Sequence, residues 1–200
     1  MNKISLQKGR INQKLQTRAA ILYAAKNLMG TKKKVSLEDI ADKANVSRAT
    51  IYRYFPSVEL LITEASLDIH HQSPDELLEE VKDMPLNDRI FYIQKYYNQV
   101  AQDHELVFRR YLSTVLTESI TSKKKIRGSR RIESMKIALQ PFKKDMPKDQ
   151  FENLINISAL LMGIDSLIVT KDVCDLSNAE SNKILKWGID MILKGLSCDK

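Results

Sequence analysis

Residues 36–55 read SLEDIADKANVSRATIYRYF, a stretch that predicts two short helices joined by a tight turn. Ser36 is a good N-cap for the first helix, and Asp39 completes a capping box with it. Asn45 stands where the turn needs a left-handed residue, and Asn tolerates that conformation better than most residues other than Gly. Ser47 is an N-cap for the second helix. The stretch is therefore typical of a helix-turn-helix unit.

Apolar periodicity on both sides extends this unit. Before it, apolar residues at helical spacing predict a helix over about 12–29, which Gly30 ends as a C′ residue. After it, Ser57 caps a fourth helix. We therefore predict a three-helix domain over residues 1–56, the head, which begins with a flexible basic arm over residues 1–10.

Positive charge is concentrated in the head. Residues 1–54 contain twelve Lys and Arg against three acidic residues, a charge of +9, whereas the remainder carries −2 of the total +7. A basic segment beside a nearly neutral one indicates a part that binds a polyanion, joined to a body with another role. The alternative is a solvated basic tail.

The second helix of the stretch has an outer face suited to the major groove of DNA. Ile51 and Phe55 point into the core, which leaves basic, small and hydroxyl-bearing side chains outside. Arginine can donate two hydrogen bonds to guanine, the threonine methyl can contact thymine, and tyrosine hydroxyls suit phosphate oxygens. The alternative is a helix pair whose basic face is incidental. The candidate DNA-binding residues are Lys14, Arg18, Lys34, Ser36, Ser47, Arg48, Ala49, Thr50, Tyr52, Arg53 and Tyr54.

The sequence carries no constellation typical of an enzyme or a metal site. His70 and His71 would point about 100° apart on a helix, and His104 stands alone. Cys174 and Cys198 are far apart and form no C-x-x-C motif, which fits a reducing compartment. We expect no catalytic residues, no metal and no cofactor.

Targeting signals are also missing from the sequence pattern. No apolar run approaches the roughly 20 residues of a membrane span. The N-terminus is basic but lacks an apolar stretch, so it does not resemble a secretory signal. We expect a cytoplasmic protein with no membrane partner.

The body, residues 57–200, reads as further helices and brings the expected total to about nine. Pro85 precedes a helix start, and Asp103 with His104 marks a break. The last two helices are predicted over Phe151 to Thr170 and Ser181 to Leu196. The basic run over residues 123–131 is interpreted as a solvated loop, with a second nucleic-acid site as the alternative.

The last two predicted helices are apolar on more than one face, so each needs two apolar neighbours. One neighbour is the core of the same subunit, and the other is most simply the same pair of helices in a second subunit. Gly163 and Gly188 would permit close approach of the helices. The alternative is two central helices of a monomer. The candidate dimer-interface residues are Leu160, Gly163, Ile164, Leu167, Ile184, Trp187, Gly188 and Met191.

Aromatic and Met residues in the middle helices indicate a pocket for a small lipophilic or aromatic ligand. The alternative for each of them is ordinary core packing. The candidate pocket residues are Tyr92, Tyr96, Tyr97, Phe108, Tyr111, Met135 and Met162.

The head resembles the TetR family of bacterial repressors over about residues 14–66. The residues that carry the resemblance are Arg18-x-x-Ile21-Leu22-x-Ala24-Ala25, Ile40-Ala41-x-x-Ala44-Asn45-Val46-Ser47-x-x-Thr50-Ile51-Tyr52-x-Tyr54-Phe55 and Glu59-x-Leu61. The resemblance implies an all-α homodimer with one helix-turn-helix head per subunit and a larger helical domain that binds an inducer and dimerises. It places Arg48, Ala49, Thr50, Tyr52, Arg53 and Tyr54 on the helix that contacts DNA. Val58 stands where the family usually has a phosphate-contacting Lys.

Three functions remain open at this point. The leading hypothesis is a repressor that binds a palindromic operator in bacterial nucleoid DNA and is released by a small molecule bound in the body. The second is a DNA-binding scaffold of the same fold that acts through a protein partner. The third is a helical enzyme tethered to DNA by its head.

Overall fold

The computed structural model describes residues 3–31, 35–68, 71–121 and 127–198, and every regular element in these ranges is helical. The all-α prediction is confirmed, with eleven α-helices in the described ranges rather than about nine. The helices are α1 (Lys3–Thr31), α2 (Leu37–Lys43), α3 (Arg48–Tyr54), α4 (Val58–Asp68), α5 (Pro74–Val81), α6 (Leu86–Asp103), α7 (Glu105–Thr121), α8 (Arg130–Leu139), α9 (Lys148–Leu160), α10 (Ile164–Ile168) and α11 (Asn178–Cys198). A 3-10 turn covers Gln140–Phe142, and a π-helical turn covers Val169–Val173.

The chain divides into two compact units. The first combines Met1–His70 with Arg109–Arg127, and the second combines His71–Phe108 with Gly128–Lys200. Each unit has its own hydrophobic core, so the two are described separately.

The core of the first unit is built by α1 to α4. Ile21, Ile40 and Phe55 from the first three helices are fully buried. Leu61 and Ala65 of α4 are fully buried in the same cluster. The fourth helix therefore completes the core of the helix-turn-helix rather than standing apart from it.

Helix α1 is longer than the sequence pattern indicated. It begins at Lys3 rather than near residue 12, so residues 3–10, expected as an arm, are helical. Gly9 is the one residue in that segment with a poor helix propensity, and a single Gly costs only about 1 kcal/mol. Gly30 lies inside the helix and is not a C′ residue, because Thr31 continues the helix and its hydroxyl donates to the carbonyl of Asn27 at 3.2 Å.

The second unit packs α5, α6, α8, α9 and α11 around one core. Its largest buried side chains include Ile90 and Ile93 of α6, Met135 and Leu139 of α8, and Leu154 of α9. Helix α6 begins after Pro85 and ends at Asp103, as predicted. This helix contributes to the core along its whole length.

One buried arginine on α6 joins the ends of two other helices. Arg89 is 5% exposed, and its Nε donates to the Met84 carbonyl at 2.8 Å. Its Nη1 donates to the Ala138 carbonyl near the end of α8 at 2.7 Å, and its Nη2 donates to the Lys82 carbonyl that follows α5. The guanidinium carbon also lies 5.0 Å from the centre of the Phe142 ring. Carbonyls at helix C-termini lack helical donors and carry partial negative charge, so the cation satisfies groups that would otherwise be unpaired.

The predicted helix from Phe151 to Thr170 is broken in the structure. Helix α9 ends at Leu160 and α10 begins at Ile164, with a bend of 53° between the two segments. Gly163 has a φ of 78°, and a Cβ there would lie 3.2 Å from Nη1 of Arg131. The prediction of one continuous helix was wrong: α9 has its C-cap at Leu161, and the positive φ of Gly163, the N-cap residue of α10, lies outside the helical region.

Side chains from α6 and α8 satisfy the backbone of residues 161–163, here called the break. Gln94 Nε2 donates to the Leu161 carbonyl at 2.8 Å, and Asn98 Oδ1 accepts from the Gly163 N–H at 2.8 Å. Arg131 donates to the carbonyl of Met162 and, at 3.2 Å, to that of Ala159 at the end of α9. The guanidinium of Arg131 also pairs with Asp165 at 2.7 Å. The backbone of the break is thus held by hydrogen bonds from side chains of two other helices.

No single helix in the described ranges is long and apolar enough to cross a membrane, although the bent pair Lys148–Leu160 and Ile164–Val173 passes that test by combined length and composition. Within the same ranges, no three His, Cys, Asp or Glu side chains are grouped so that they could hold a metal ion.

Replacement of Arg89 by Met tests the helix-end contacts. We expect Arg89→Met to lower the free energy of unfolding by at least about 3 kcal/mol, since it leaves buried carbonyls without donors. Urea unfolding followed by far-ultraviolet circular dichroism measures the loss. The exposed Lys136 on α8 gives a control, because Lys136→Met should change stability by no more than about 0.5 kcal/mol. Equal midpoints for the two variants would contradict the assignment.

Two Gly→Ala variants test the break. Gly163→Ala should destabilise by about 1–3 kcal/mol, because it forces an alanine into the left-handed region beside Arg131. Gly195→Ala is the matched control: it lies in α11, and among the described residues only its chain neighbours and the backbone of its own helix come within 4 Å of the place that its Cβ would take, so it should stabilise by about 0.5–1 kcal/mol. The same unfolding measurement applies, and a neutral Gly163→Ala would show that the break tolerates a side chain.

Candidate nucleic-acid interface

The turn between α2 and α3 has the hydrogen bonds that the sequence predicted. The Asp39 N–H donates to Ser36 Oγ at 3.1 Å, and the Ser36 N–H donates to Asp39 Oδ2 at 3.1 Å, so the capping box is confirmed. Asn45 has a φ of 52°, and the Val46 N–H donates to the Ala41 carbonyl at 3.0 Å. The Asn45 N–H donates to the Asp42 carbonyl at 3.1 Å, and these last two bonds, with a left-handed C′ residue, form a Schellman motif that ends α2. The turn geometry is therefore fixed locally.

Helix α3 is anchored at its start by a cap and along one side by the core. The Thr50 N–H donates to Ser47 Oγ at 3.1 Å, which confirms the N-cap. Ile51 and Phe55 are 1% and 0% exposed, as expected for residues that point into the core. The opposite side of α3 therefore faces away from the core.

The candidate DNA-binding residues on α3 do not all lie on the exposed side. Arg48, Ala49, Tyr52 and Arg53 are exposed. Tyr54, expected on the outer face, is half-buried and packs against the core cluster of the first unit. The exposed surface thus combines two guanidinium groups, one phenol and one methyl group.

The ion pair of Arg48 is weak enough to be exchanged for a ligand. Arg48 Nη1 lies 2.7 Å from Glu38 Oε1, and both side chains are more than half exposed. Exposed pairs of this kind contribute about 0–1 kcal/mol. Arg53 Nη2 lies 3.4 Å from Thr50 Oγ1, a long hydrogen bond on the same surface. Both arginines can therefore turn towards a partner at little cost.

Arg18 serves the core of the first unit in this structure. Its Nη2 lies 2.6 Å from Glu64 Oε2 on α4, and its guanidinium carbon lies 4.8 Å from the centre of the Phe55 ring. Lys26 and Asp68 form a second link between α1 and α4 at 3.7 Å. A phosphate contact by Arg18 would have to compete with these contacts.

The structure describes the side chain of neither Lys14 nor Lys34, two of the candidate DNA-binding residues. Lys34 and residues 122–126 of the basic run lie outside the described residues, and of Lys14 only the backbone in α1 is described. Ser36 and Ser47 are exposed caps at the starts of α2 and α3.

The candidate pocket residues are distributed over different environments. Tyr97, Met135 and Met162 are buried in the core of the second unit, where the Tyr97 hydroxyl lies 2.8 Å from Ser134 Oγ. Burial raises the pKa of Tyr97 to about 12, so its phenol stays neutral. Tyr96 Oη accepts from the Gln72 N–H at 2.6 Å. These contacts are those of core residues.

The remaining candidate pocket residues also lie in different parts of the structure. Phe108 packs against a small cluster in the second unit that contains Ile164 and Leu167. Tyr111 is buried and belongs to the first unit. Tyr92 lines a groove in the second unit between α6 and α11, with a volume of about 640 Å³.

Sequence reasoning missed the residues that line this groove from α11. They are Asn182, Lys183 and Lys186. The spacing of the two lysines at i and i+3 puts them on one helix face, which was the available signal. Their position beside α6 depends on how the two helices pack, and no pattern in the sequence predicts it.

The candidate interface residues fall into an exposed and a buried group. Exposed are Leu160 at the end of α9 and, on one face of α11, Ile184, Trp187 and Met191. The buried group is Gly163, Ile164 and Leu167, and a Cβ on Gly188 would meet Leu161 Cδ1 at 3.5 Å.

Comparison with known proteins agrees with this geometry. The family description "Bacterial regulatory proteins, tetR family" matches residues 21–65. The crystal structure of a TetR transcriptional regulator from Rhodococcus sp. RHA1 matches with a TM-score of 0.53 at 16% sequence identity, covering 90% of this chain and 97% of that chain. At this level of identity the structural likeness shows the fold. No curated protein sequence matches the chain.

The matched segment spans the end of α1, the capped helix-turn-helix and most of α4, which are the elements that share one core. The match supports the family prediction made from the sequence: residues 21–65 are similar to bacterial regulatory proteins of the TetR family, and the fold is similar to that of a TetR transcriptional regulator.

Proposed function

We propose that the protein is a repressor that binds a palindromic operator and is released when a small molecule binds its second unit. The observation that carries the DNA-binding part is the exposed side of α3, where Arg48, Ala49, Tyr52 and Arg53 stand opposite a buried anchor. The ligand-responsive part is supported by the groove of about 640 Å³ in the second unit, which has the size of a small-molecule site.

Base recognition is assigned to the arginines of α3. A guanidinium can donate two hydrogen bonds to O6 and N7 of guanine, and Arg48 and Arg53 are both exposed with weak local partners. The Ala49 methyl group suits contact with a thymine methyl. Tyr52 is 46% exposed and suits a phosphate oxygen.

Homodimer formation is supported by the apolar surface of α11. Ile184, Trp187 and Met191 lie at i, i+3 and i+7 on one helix face, and each is more than a third exposed. Contiguous exposed apolar surface is typical of an interface. A twofold dimer would present two copies of α3, as half-sites about 34 Å apart require.

A scaffold role through a protein partner is the second candidate. Leu116 and Ile120 near the end of α7 are 54% and 83% exposed, at i and i+4 on one face. Such a pair is a small apolar contact for another protein. The proposal for either role includes no enzymatic activity and no cofactor, and it places the protein on nucleoid DNA in the bacterial cytoplasm.

Binding of the full-length protein to its own upstream DNA tests the proposed function. Fluorescence anisotropy is measured at about 50 and 200 mM salt with scrambled DNA as competitor. We expect competitor-resistant binding that weakens steeply with salt, since phosphate contacts release counterions. Binding that scrambled DNA abolishes would contradict recognition of an operator at that place.

Arg48→Ala tests base recognition. If Arg48 contacts a guanine, the variant should lose about 1–3 kcal/mol of binding energy on the matching operator and less on an operator changed at that base pair. The exposed Arg110 on α7 provides a matched Arg→Ala control, for which we expect unchanged binding. An equal loss on every operator variant would make Arg48 a phosphate contact instead.

Trp187→Glu tests the dimer surface. A charge at the centre of the α11 surface should shift the protein from dimer to monomer at micromolar concentration, as measured by analytical ultracentrifugation. Leu106 is 76% exposed on α7, outside this surface, and Leu106→Glu should leave the dimer intact. A monomeric wild type, or a dimeric Trp187→Glu variant, would place the interface elsewhere.

A further inference from the structure

The groove between α6 and α11 joins an apolar wall to a polar floor. Met84, Phe91 and Tyr92 supply the apolar wall, and Gln94 and Asn98 supply amides. Its volume of about 640 Å³ lies in the middle of the range for small-molecule sites. Shape and lining thus suit a ligand with an apolar part and at least one polar group.

The charge around the groove is positive. Three lysines line it, Lys95 from α6 with Lys183 and Lys186 from α11, against one acidic residue, Asp88. In the described part of the chain, none of these three ammonium groups lies within ion-pair distance of a carboxylate. Lys186 Nζ lies 5.2 Å from the centre of the Phe91 ring, which brings positive charge directly over the apolar wall. An anionic group on a ligand would therefore be attracted to this end of the groove.

The two amides of the groove each have unused hydrogen-bonding capacity. Gln94 is 3% exposed and Asn98 is 2% exposed, and each uses one amide atom to bond the break. Among the described residues, neither side chain has a hydrogen-bond partner for its second amide atom. Buried amides with an open donor or acceptor beside a cavity are suited to a polar group of a ligand.

We propose that the α6/α11 groove binds a small amphipathic anion, namely an aromatic or medium-chain acyl carboxylate. The apolar part packs on Met84, Phe91 and Tyr92, and the carboxylate lies among the lysines. The open Nδ2 of Asn98 can donate to a carboxylate oxygen, whereas the open Oε1 of Gln94 can only accept, from a ligand that also carries an N–H or O–H group. The assignment rests on the proposed function in that it takes the second unit as the part that binds the effector.

Binding in the groove acts on the break through Asn98. Its Oδ1 holds the Gly163 N–H, so a carboxylate that accepts from its open Nδ2 favours a particular orientation of this amide. Leu160 immediately before the break is 66% exposed and belongs to the proposed dimer surface. The groove is thereby connected, within the second unit, to the proposed dimer surface.

The test uses the full-length protein and a fluorescent amphipathic anion, 1-anilinonaphthalene-8-sulfonate. Its fluorescence is followed as decanoate or decanol displaces it. Decanoate should displace the probe at a concentration about tenfold lower than decanol, because only decanoate carries the charge that the lysines attract. The double variant Lys183→Gln/Lys186→Gln should weaken decanoate by roughly fivefold to tenfold, the effect of two exposed ion pairs, and leave decanol unchanged.

Lys136→Gln is the control, because Lys136 is exposed in the same unit but does not line the groove. It should leave displacement by decanoate unchanged. Equal displacement by decanoate and decanol, or a double variant that binds decanoate like the wild type, would overturn the assignment. Both variants retain the two amides, so the break and the fold are not disturbed by the test.

Operator binding by the same preparations separates this proposal from the proposed function. If operator DNA is bound but decanoate does not displace the probe, the groove assignment fails and the regulator stands. If decanoate binds with the expected dependence on the lysines and no operator is bound, the groove assignment stands and the repressor proposal fails.

Discussion

The arrangement of the second unit depends on the break between α9 and α10. Helix α9 ends at Leu160, and Gly163, with a positive φ, precedes α10, so the peptide groups between the two helices must find other partners. Gln94 and Asn98 of α6 and Arg131 of α8 supply those partners. Three helices are thus fixed to one another by polar bonds whose geometry is stricter than that of apolar packing. The bend also directs Leu160 outward while Ile164 and Leu167 turn into the core.

Helix α6 combines two roles that usually fall to different helices. Its apolar stripe of Ile90, Ile93 and Tyr97 forms the core. The flanking positions hold Arg89 and Gln94, which are nearly as buried as the apolar residues and bond backbone groups of other helices. Hydrogen bonds depend more strictly on position and direction than apolar contacts do, so these two side chains define the register of α6 against its neighbours more narrowly than the stripe alone. The groove uses the same polar face, which explains why an effector there would act on the break.

Charge has different uses on the two sides of the helix-turn-helix. Inside, Arg18 and Glu64 join α1 to α4 at 2.6 Å, with Phe55 beneath the guanidinium, and the pair is only partly exposed. Outside, Arg48 and Glu38 are both well exposed, and their pair contributes little. The first pair joins two helices of the unit, and the second leaves the Arg48 guanidinium exposed. Residue type alone did not separate these roles, since both arginines were candidates for DNA contact.

The sequence by itself determined the local features: the caps at Ser36 and Ser47, the left-handed turn at Asn45, the start of α6 after Pro85 and the resemblance of the head to the TetR family. These depend on bonds between residues a few positions apart, so short patterns are sufficient to predict them. Only the tertiary structure decided that Gly163 ends a helix, that Arg18 faces Glu64 and that two lysines of α11 line a groove with α6. The side chains that bond the break lie 31 to 67 positions away from their partners along the chain. Such contacts arise from packing between helices. Apolar periodicity is compatible with several registers of one helix against another, and buried hydrogen bonds then select one of them.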